Sequence, residues 1–224
     1  MEQYKQEFIE FLVTSGALKF GEFTLKSGRV APYFISTGAF DDGAKMNKLG
    51  YFYAAALQDI GATFDTLFGP AYKGIPLAVA VAMSMERDFG MNVGYAYNRK
   101  EVKDYGDKGG LFVGKPMKKG DKIVIIDDVI SQGTSKREAF HMLEGLGVLV
   151  EHIIIAVDRL ESVAVGGKSA IALLKDEFNV RSSAIATIDE IFEHLYNREV
   201  EGAVYIADKQ KQLIETYLET YGAT

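Results

Sequence analysis

The chain contains no cysteine among its 224 residues. Disulfide bonds, thiolate metal sites and cysteine nucleophiles are therefore excluded, and the composition gives no sign of an oxidising compartment. There are only three histidines, and His141, His152 and His194 lie on predicted helix or strand positions away from the glycine-rich loops. We interpret each as a structural or surface residue, and we do not predict a histidine-based metal site.

Long apolar runs and a strong positive charge are also missing. No apolar run approaches the roughly 20 residues that span a bilayer, and the start, MEQYKQEFIEFL, is charged and amphipathic, so no signal peptide is expected. The formal net charge of -6 argues against broad nucleic-acid binding. With 48% hydrophobic and 25% charged residues, the chain has the composition of a folded soluble protein. We expect one domain over 1–224 and a cytoplasmic location.

What is present is an alternation of short apolar segments with helical patterns. Strands are predicted near positions 65, 93, 123, 150 and 183, with helices between most of them. This order is typical of an α/β protein with a doubly wound, mostly parallel sheet. Ahead of the sheet, residues 3–15 predict an amphipathic helix and FGEFTLKSGRVAPYFIST predicts a β-hairpin. Together these form a small hood over about residues 1–40.

Near the C-terminus, two further helices are predicted. Asp189 is the expected N-cap of a helix through Leu195, because aspartate side chains accept hydrogen bonds from the first turn. Tyr205 to Tyr221 has the spacing of an amphipathic helix. No internal repeat is present.

The clearest functional pattern is KIVIIDDVISQGTS, from Lys122 to Ser135. Its β-branched run predicts a strand buried on both faces of the sheet. Asp127 and Asp128 end that strand, where open α/β sheets bind their ligands. A small polar turn then leads into a helix, and helix N-termini bind anions. The stretch therefore predicts a site for a sugar and its phosphate.

Other predicted loops carry positive charge, and for each of them a purely structural interpretation is also possible. Lys73 lies in GPAYKGIP at a helix N-terminus, where it could equally be a surface lysine in a tight crossover. NRKEVKDYGDKGGLFVG predicts a long mobile loop, or alternatively a solvated hairpin tip. Taken by themselves, Lys26 and Arg29 are more simply interpreted as charged residues of a solvent-exposed turn. Arg159 ends another strand, where a guanidinium can meet a ligand carboxylate in bidentate fashion.

IVIIDDVISQGTS is similar to the phosphoribosyl-diphosphate signature of type I phosphoribosyltransferases. Four more segments, FGEFTLKSGRVAPYFI, LFGPAYKGIPLA, YNRKEVKDYGDKGG and AVDRLE, resemble in order and spacing those of the orotate-specific members of this family. The five blocks cover most of the chain. The resemblance implies transfer of a phosphoribosyl group from 5-phosphoribosyl 1-diphosphate to orotate, giving orotidine 5'-monophosphate and diphosphate in pyrimidine biosynthesis.

The resemblance also implies roles for particular residues. The ribose and its phosphate would be bound by Asp127, Asp128, Val129, Ile130, Ser131, Gln132, Gly133, Thr134 and Ser135. The diphosphate would be met by Lys26, Tyr72, Lys73, Arg99, Lys100, Lys103 and Tyr105. Orotate would be read by Phe34, Ile35, Ser131 and Arg159. The residues implied in catalysis are Lys103, Asp127, Asp128, Lys73 and Lys26.

By the same resemblance, Mg2+ would be held through substrate and water rather than by direct protein ligands. A homodimer is implied, in which loop 99–112 closes over the neighbouring active site. Two positions depart from the family pattern. Tyr105 stands where the family usually has histidine, and a phenol with a reference pKa of about 10 cannot shuttle protons near neutrality. Gln132 lies in a turn that usually reads Thr-Ala-Gly-Thr.

Three other functions compete with this interpretation. A purine or uracil phosphoribosyltransferase would share the Asp127 motif but would have little need for Arg159. A non-enzymatic sensor of phosphoribosyl diphosphate would be expected to add a DNA-binding domain or a basic face, and this chain is acidic. A generic dinucleotide-binding domain would show GxGxxG after the first predicted strand, where it is absent. The sequence leaves open whether a decarboxylase associates with the chain.

Overall fold

A computed structural model describes residues 1–25, 27–101, 110–129, 134–164 and 166–223, without the side chains of Thr134 and Ser135. Its helices are α1 (Gln3–Thr14), α2 (Gly43–Asp59), α3 (Gly74–Phe89), α4 (Thr134–Glu144), α5 (Ala170–Phe178), α6 (Ile188–Leu195) and α7 (Asp208–Tyr221). Its strands are β1 (Leu18–Thr24), β2 (Val30–Ile35), β3 (Thr66–Phe68), β4 (Gly94–Asn98), β5 (Phe112–Gly114), β6 (Lys122–Val129), β7 (Leu149–Asp158), β8 (Arg181–Thr187), β9 (Glu199–Val200) and β10 (Ala203–Val204).

The central sheet has six strands in the order β5-β4-β3-β6-β7-β8. Neighbouring strands are parallel except at one edge, where β5 pairs antiparallel with β4. The chain runs outward from β3 to β5, returns to β6 beside β3, and then runs outward in the other direction to β8. The boundary between β3 and β6 is therefore the topological switch point, where open α/β sheets bind ligands outside the carboxyl ends of their strands.

Helices cover both faces of this sheet, as the doubly wound prediction requires. Because strand side chains alternate, Val124 and Ile126 of β6 belong to one core, with residues of α1, α2, α3, α6 and α7. Ile123 and Ile125 belong to the other core, with residues of α4 and α5. Full burial of one such side chain contributes about 2 kcal/mol. The predicted fold class is confirmed.

The predicted N-terminal helix and hairpin both form, and they pack on the larger of the two cores. Strands β1 and β2 pair antiparallel, with Leu18 opposite Ile35. On α1, Phe8 contacts Phe52 of α2 edge to face, with ring centroids 5.4 Å apart. The hood is thus anchored to the sheet through α2, which places β2 near the carboxyl edge of the sheet.

Two elements near the C-terminus begin differently from the sequence prediction. Thr187, not Asp189, is the N-cap of α6: its hydroxyl accepts a hydrogen bond from the Glu190 N–H (3.3 Å), and the Glu190 carboxylate accepts one from the Thr187 N–H (2.8 Å). This capping box satisfies two otherwise unpaired amides. Helix α7 begins at Asp208 rather than Tyr205 because the β9–β10 hairpin precedes it. No helix among the described residues is long and apolar enough to cross a membrane.

Candidate active site

The loop from β3 to α3 packs so closely that two of its positions require glycine. A Cβ on Gly69 would lie 2.0 Å from the carbonyl oxygen of Gly74, and one on Gly74 would lie 2.8 Å from the carbonyl carbon of Gly69. The Asn98 side chain at the end of β4 accepts a hydrogen bond from the Ala71 N–H (2.9 Å). The Ala71–Tyr72 peptide is cis. The loop presents Tyr72 and the Lys73 side chain, which are 71% and 65% exposed.

Asp128 lies at the end of β6, next to the switch point. Its Oδ2 accepts hydrogen bonds from Lys73 Nζ (2.7 Å) and Thr37 Oγ1 (2.8 Å), and its Oδ1 accepts one from the Val129 N–H (2.8 Å). Burial favours the protonated acid, but these three donors outweigh it and lower the pKa of Asp128 below its ordinary value. Asp128 is therefore an ionised carboxylate beside an exposed lysine.

Asp127 is the preceding residue and faces the opposite side of the sheet, towards α4. Its Oδ2 lies 2.5 Å from Lys136 Nζ, and both side chains are at most 8% exposed. The ammonium of Lys136 also donates to the Val129 carbonyl oxygen (2.9 Å). Burial raises the pKa of Asp127 above its ordinary value, and the charge of Lys136 limits that rise. The buried hydroxyl of Tyr53, on α2, donates to the Asp127 carbonyl oxygen (2.8 Å).

Arg159 follows the end of β7, the strand beside β6, and lies against the hairpin. Its Nη2 donates to Glu161 Oε1 (2.6 Å), and its Cζ lies 5.2 Å from the centroid of the Tyr33 ring. Ile35 is buried, whereas Phe34 is 39% exposed and stacks on Phe23. Since alternate residues of a strand point to opposite faces, the backbone of β2, rather than the Phe34 ring, lies on the Arg159 side.

The structure places some of the predicted site residues and does not describe others. It brings Lys73, Asp128 and Arg159 to the carboxyl ends of three adjacent strands. Arg99 and Lys100 begin the long loop, where the Arg99 N–H donates to the Leu111 carbonyl oxygen (2.7 Å). The predicted site residues outside the described ranges are Lys26, Lys103, Tyr105, Ile130, Ser131, Gln132 and Gly133, together with the side chains of Thr134 and Ser135.

Four residues at this edge were not predicted: Thr37, Tyr53, Asn98 and Lys136. Lys136 had a usable signal, because it is the first lysine after the polar turn that follows Asp127 and Asp128. Thr37 and Tyr53 come from distant segments that only the tertiary fold brings to β6.

The three histidines lie outside this site, so their interpretation as structural or surface residues is confirmed. His152 is buried in β7 and hydrogen-bonded through Nε2 to Ser183 Oγ (2.8 Å). His194 contacts Glu10 through Nε2 (3.0 Å), and His141 is exposed beside Glu144. Within the described ranges, no cluster of three or more histidine, aspartate or glutamate side chains could hold a metal ion.

Comparison with known proteins gives a consistent result over the full chain. The family model for the phosphoribosyl transferase domain matches residues 40–186. An orotate phosphoribosyltransferase from Lachnoclostridium phytofermentans is 50% identical over 224 residues, covering 99% of both chains. One from Clostridium acetobutylicum is 49% identical, again over 99% of both chains.

Among solved structures, the orotate phosphoribosyltransferase of Francisella tularensis superposes with a TM-score of 0.84 at 34% identity, over 97% of this chain and 100% of that one. The fold, with its acidic strand end at the switch point, defines a type I phosphoribosyltransferase and therefore an enzyme. Within that class, the chain belongs to the orotate phosphoribosyltransferase family.

Proposed function

We propose that this enzyme transfers the phosphoribosyl group of 5-phosphoribosyl 1-diphosphate to orotate, giving orotidine 5'-monophosphate and diphosphate in pyrimidine biosynthesis. One observation carries the proposal: the ionised carboxylate of Asp128, the exposed lysine Lys73 and the guanidinium of Arg159 lie at the carboxyl ends of three adjacent strands. In the reaction, the bond from C1 to the diphosphate oxygen breaks and its electron pair leaves with diphosphate. Orotate N1 bonds to C1, and its proton passes to the departing diphosphate or to water.

The ribose end of the substrate belongs to β6 and the turn after it. Asp127 and Asp128 hydrogen-bond the ribose hydroxyls, and their charge stabilises the positive charge that develops at C1. The 5-phosphate lies at the start of α4, because a helix N-terminus presents unpaired N–H groups to an anion. The residues proposed to form this cradle are Val129, Ile130, Ser131, Gln132, Gly133, Thr134 and Ser135.

The diphosphate end lies over the loop of Lys73. The ion pair between Lys73 and Asp128 joins a lysine that is 65% exposed to a carboxylate that is 10% exposed. When Lys73 turns away, Asp128 keeps the hydrogen bonds from Thr37 and the Val129 N–H. Lys73 can therefore exchange Asp128 for the diphosphate at small cost, which leaves Asp128 free for a ribose hydroxyl. Tyr72 lies beside it. The other residues proposed to meet the diphosphate are Lys26, Arg99, Lys100, Lys103 and Tyr105.

Orotate is placed between β7 and the hairpin. Arg159 meets its carboxylate, since a guanidinium matches carboxylate geometry. Ser131 and the backbone at Phe34 and Ile35 complete the pocket. A base without a carboxylate gains nothing from Arg159, and for that reason we place orotate ahead of uracil or a purine as the acceptor.

Magnesium is proposed to enter with the diphosphate. Mg2+ prefers oxygen ligands, keeps several waters and is commonly held through substrate phosphates. Asp128, whose lysine partner is exposed, would be the carboxylate available to such an ion through water, without direct ligation. When bound, the ion neutralises charge on the leaving diphosphate.

The working unit is proposed to be a homodimer in which loop 99–112 reaches the neighbouring active site. Lysine and arginine brought in by such a loop stabilise the departing diphosphate and exclude water that would hydrolyse the activated ribose. The whole chain is proposed to form one domain, because a single core includes residues from Phe8 in the hood to Tyr217 in α7. A cytoplasmic location stays a prediction from the sequence.

The substrate assignment is tested by incubating the purified protein with phosphoribosyl diphosphate, Mg2+ and a panel of bases while orotate absorbance is followed. We expect consumption of orotate that depends on all three components and stops when the metal is chelated. Turnover of hypoxanthine or uracil but not orotate would overturn the assignment. Tight binding of the diphosphate with no turnover of any base would instead favour a sensor.

The shared active site is tested by mixing two inactive variants, Lys103→Ala and Asp128→Asn. If the loop crosses to the partner, each mixed dimer regains one site with both residues intact, so about a quarter of all sites become active after random exchange. If the loop serves its own subunit, mixing restores nothing. The separate variants, incubated alone under the same conditions, are the controls.

A further inference from the structure

The guanidinium of Arg159 is held by two groups that no step above has used. Glu161 lies two residues further along the chain and accepts from Nη2 at 2.6 Å, and the side chains of this pair are 18% and 14% exposed. The Tyr33 hydroxyl donates to the same Glu161 oxygen (2.7 Å), while the Tyr33 ring lies 5.2 Å from Arg159 Cζ. Both the position and the plane of the guanidinium are thereby restricted.

Glu161 is itself fixed by the backbone on either side of it. The segment pairs with the end of α7: Glu161 bridges Gly222, and the Ser162 N–H donates to the Tyr221 carbonyl oxygen (2.8 Å). From the hairpin turn, Arg29 Nη1 donates to the Ser162 carbonyl oxygen (3.1 Å). Glu161 is therefore a rigid acceptor joining the hairpin, the end of β7 and α7.

Two tyrosines near Glu161 keep their protons at neutral pH. Tyr33 is fully buried, and burial together with the Glu161 charge raises its pKa well above the ordinary value. Burial and the same charge raise the pKa of Tyr217, on α7, to about 12. Both phenols thus keep their protons at neutral pH, and Tyr33 can only donate to Glu161 there.

We propose that Glu161, supported by Tyr33, is a positioning residue that orients Arg159 so that the enzyme selects a pyrimidine carrying a carboxylate. The inference rests on the proposed function, because Arg159 must be the group that meets that carboxylate. Arg159 Nε is buried and has no hydrogen-bond partner in the described part of the chain. In this conformation a ligand carboxylate must therefore meet the terminal nitrogens, whose direction Glu161 sets.

The positioning role predicts a selective loss. An arginine side chain has many rotamers, and ordering it at the moment of binding would cost affinity for orotate. A base that lacks the carboxylate makes no use of Arg159, so it would lose nothing. Removing Glu161 should consequently lower the preference for orotate over uracil rather than slow both reactions together.

The test compares Glu161→Ala with Glu161→Gln in the full-length enzyme. For Glu161→Ala we expect the KM for orotate to rise about tenfold or more, with the KM for phosphoribosyl diphosphate and kcat/KM for uracil within about twofold. Glu161→Gln keeps an acceptor oxygen for Arg159 and should restore the KM for orotate to within about threefold of the native value. Tyr33→Phe keeps the ring and should give an intermediate rise.

Asp176→Ala is the matched control, because it removes one carboxylate from an ion pair with Lys168 in which both side chains are 56% exposed. It should change neither KM. If Glu161→Ala leaves the KM for orotate unchanged, or raises both KM values equally with a lower melting temperature, the positioning proposal is wrong. Arg159→Gln separates the claim that Arg159 binds the orotate carboxylate from the claim that Glu161 orients Arg159. A normal KM for orotate in Arg159→Gln would contradict the proposed role of Arg159 itself, whereas a loss there with none in Glu161→Ala would overturn only the positioning role.

Discussion

Asp127 and Asp128 are adjacent in the chain, but their carboxylates form ion pairs of opposite character on the two faces of the sheet. The pair of Asp127 with Lys136 is closed, since both side chains are at most 8% exposed. The pair of Asp128 with Lys73 is open, because the lysine is 65% exposed and comes from a neighbouring loop. The β-strand alternation that separates the two cores thus also separates a fixed charge pair from an exchangeable one.

The physical consequence is a difference in which property each substitution changes most, although both aspartates are proposed to contact the ribose. Breaking the closed pair leaves an uncompensated buried charge and costs about 3–5 kcal/mol. Breaking the open pair should cost less, because the lysine is 65% exposed and Asp128, although only 10% exposed, keeps the hydrogen bonds from Thr37 and the Val129 N–H. We therefore expect substitutions in the closed pair mainly to lower the free energy of unfolding. Substitutions in the open pair should mainly lower kcat.

The largest expected effect is on the closed pair. Asp127→Ala leaves the Lys136 ammonium buried without its carboxylate, and the free energy of unfolding should fall by about 3 kcal/mol in urea titrations. The double variant Asp127→Ala/Lys136→Met should recover much of that loss, because it removes the unpaired charge. A loss below about 1 kcal/mol in the single variant would mean that the pair is not closed.

The next effect is on the open pair. Lys73→Ala should lower kcat by about a hundredfold, the cost of losing one charged contact to the departing diphosphate. Its free energy of unfolding should fall by only about 1 kcal/mol, because Lys73 is 65% exposed and Asp128 keeps its other two donors. Steady-state kinetics and urea unfolding on the same preparation measure both. An unchanged kcat in Lys73→Ala would contradict the proposal that the open pair takes part in the reaction.

A third effect concerns the pH dependence of stability, which we assign to His152 on β7 rather than to the two aspartates. Burial, and secondarily the charge of Arg181, lowers the pKa of His152 to about 4. The unfolded chain, with a histidine pKa of about 6.5, binds the proton first as pH falls. Stability is thus complete above that value and is lost towards pH 4, by about 2 kcal/mol at pH 5 relative to pH 7.5. Urea titrations at the two pH values measure the loss.

His152→Gln should abolish most of this difference, since glutamine can still hydrogen-bond Ser183 but takes up no proton. Asp128, whose pKa is lowered by its donors, remains ionised at pH 5. An unchanged pH dependence in His152→Gln would instead point to the carboxylate pairs as its source.

The smallest effect concerns Thr37, which donates to Asp128 and accepts from Lys73 at 3.3 Å. Thr37→Val removes both of these hydrogen bonds. The one that remains once Lys73 has turned to the diphosphate, to Asp128, is worth about 1 kcal/mol, so kcat/KM for phosphoribosyl diphosphate should fall about fivefold. Thr220→Val removes an exposed hydroxyl that donates to a carbonyl within α7 and serves as the control. Equal effects of the two substitutions would deny Thr37 a role in the site.

The sequence predicted the sheet and the strand ends of this site because both are local. A β-branched run followed by two aspartates fixes where β6 ends, and parallel strands bring their carboxyl ends together. It did not predict which lysine pairs with which aspartate, since that depends on the face each side chain takes. Thr37 and Lys73 reach Asp128 from 91 and 55 residues away in the chain.

Two further differences between the sequence prediction and the structure have local causes. The N-cap of α6 was misplaced at Asp189 although Thr187 and Glu190 have the spacing of a capping box. Strand β5 went unpredicted because it has three residues and exists only as an antiparallel partner of β4. Such short edge strands take their structure from the neighbour rather than from their own sequence.

The most direct test of the comparison is to measure turnover and unfolding for Asp127→Asn and Asp128→Asn side by side, since the two isosteric substitutions differ by one position. We predict that Asp128→Asn lowers kcat about a hundredfold while its free energy of unfolding falls by only about 1 kcal/mol, because the amide oxygen can still accept from Thr37. Asp127→Asn should lose about 3 kcal/mol of stability. Equal losses of stability in the two variants, or full turnover in Asp128→Asn, would contradict the account.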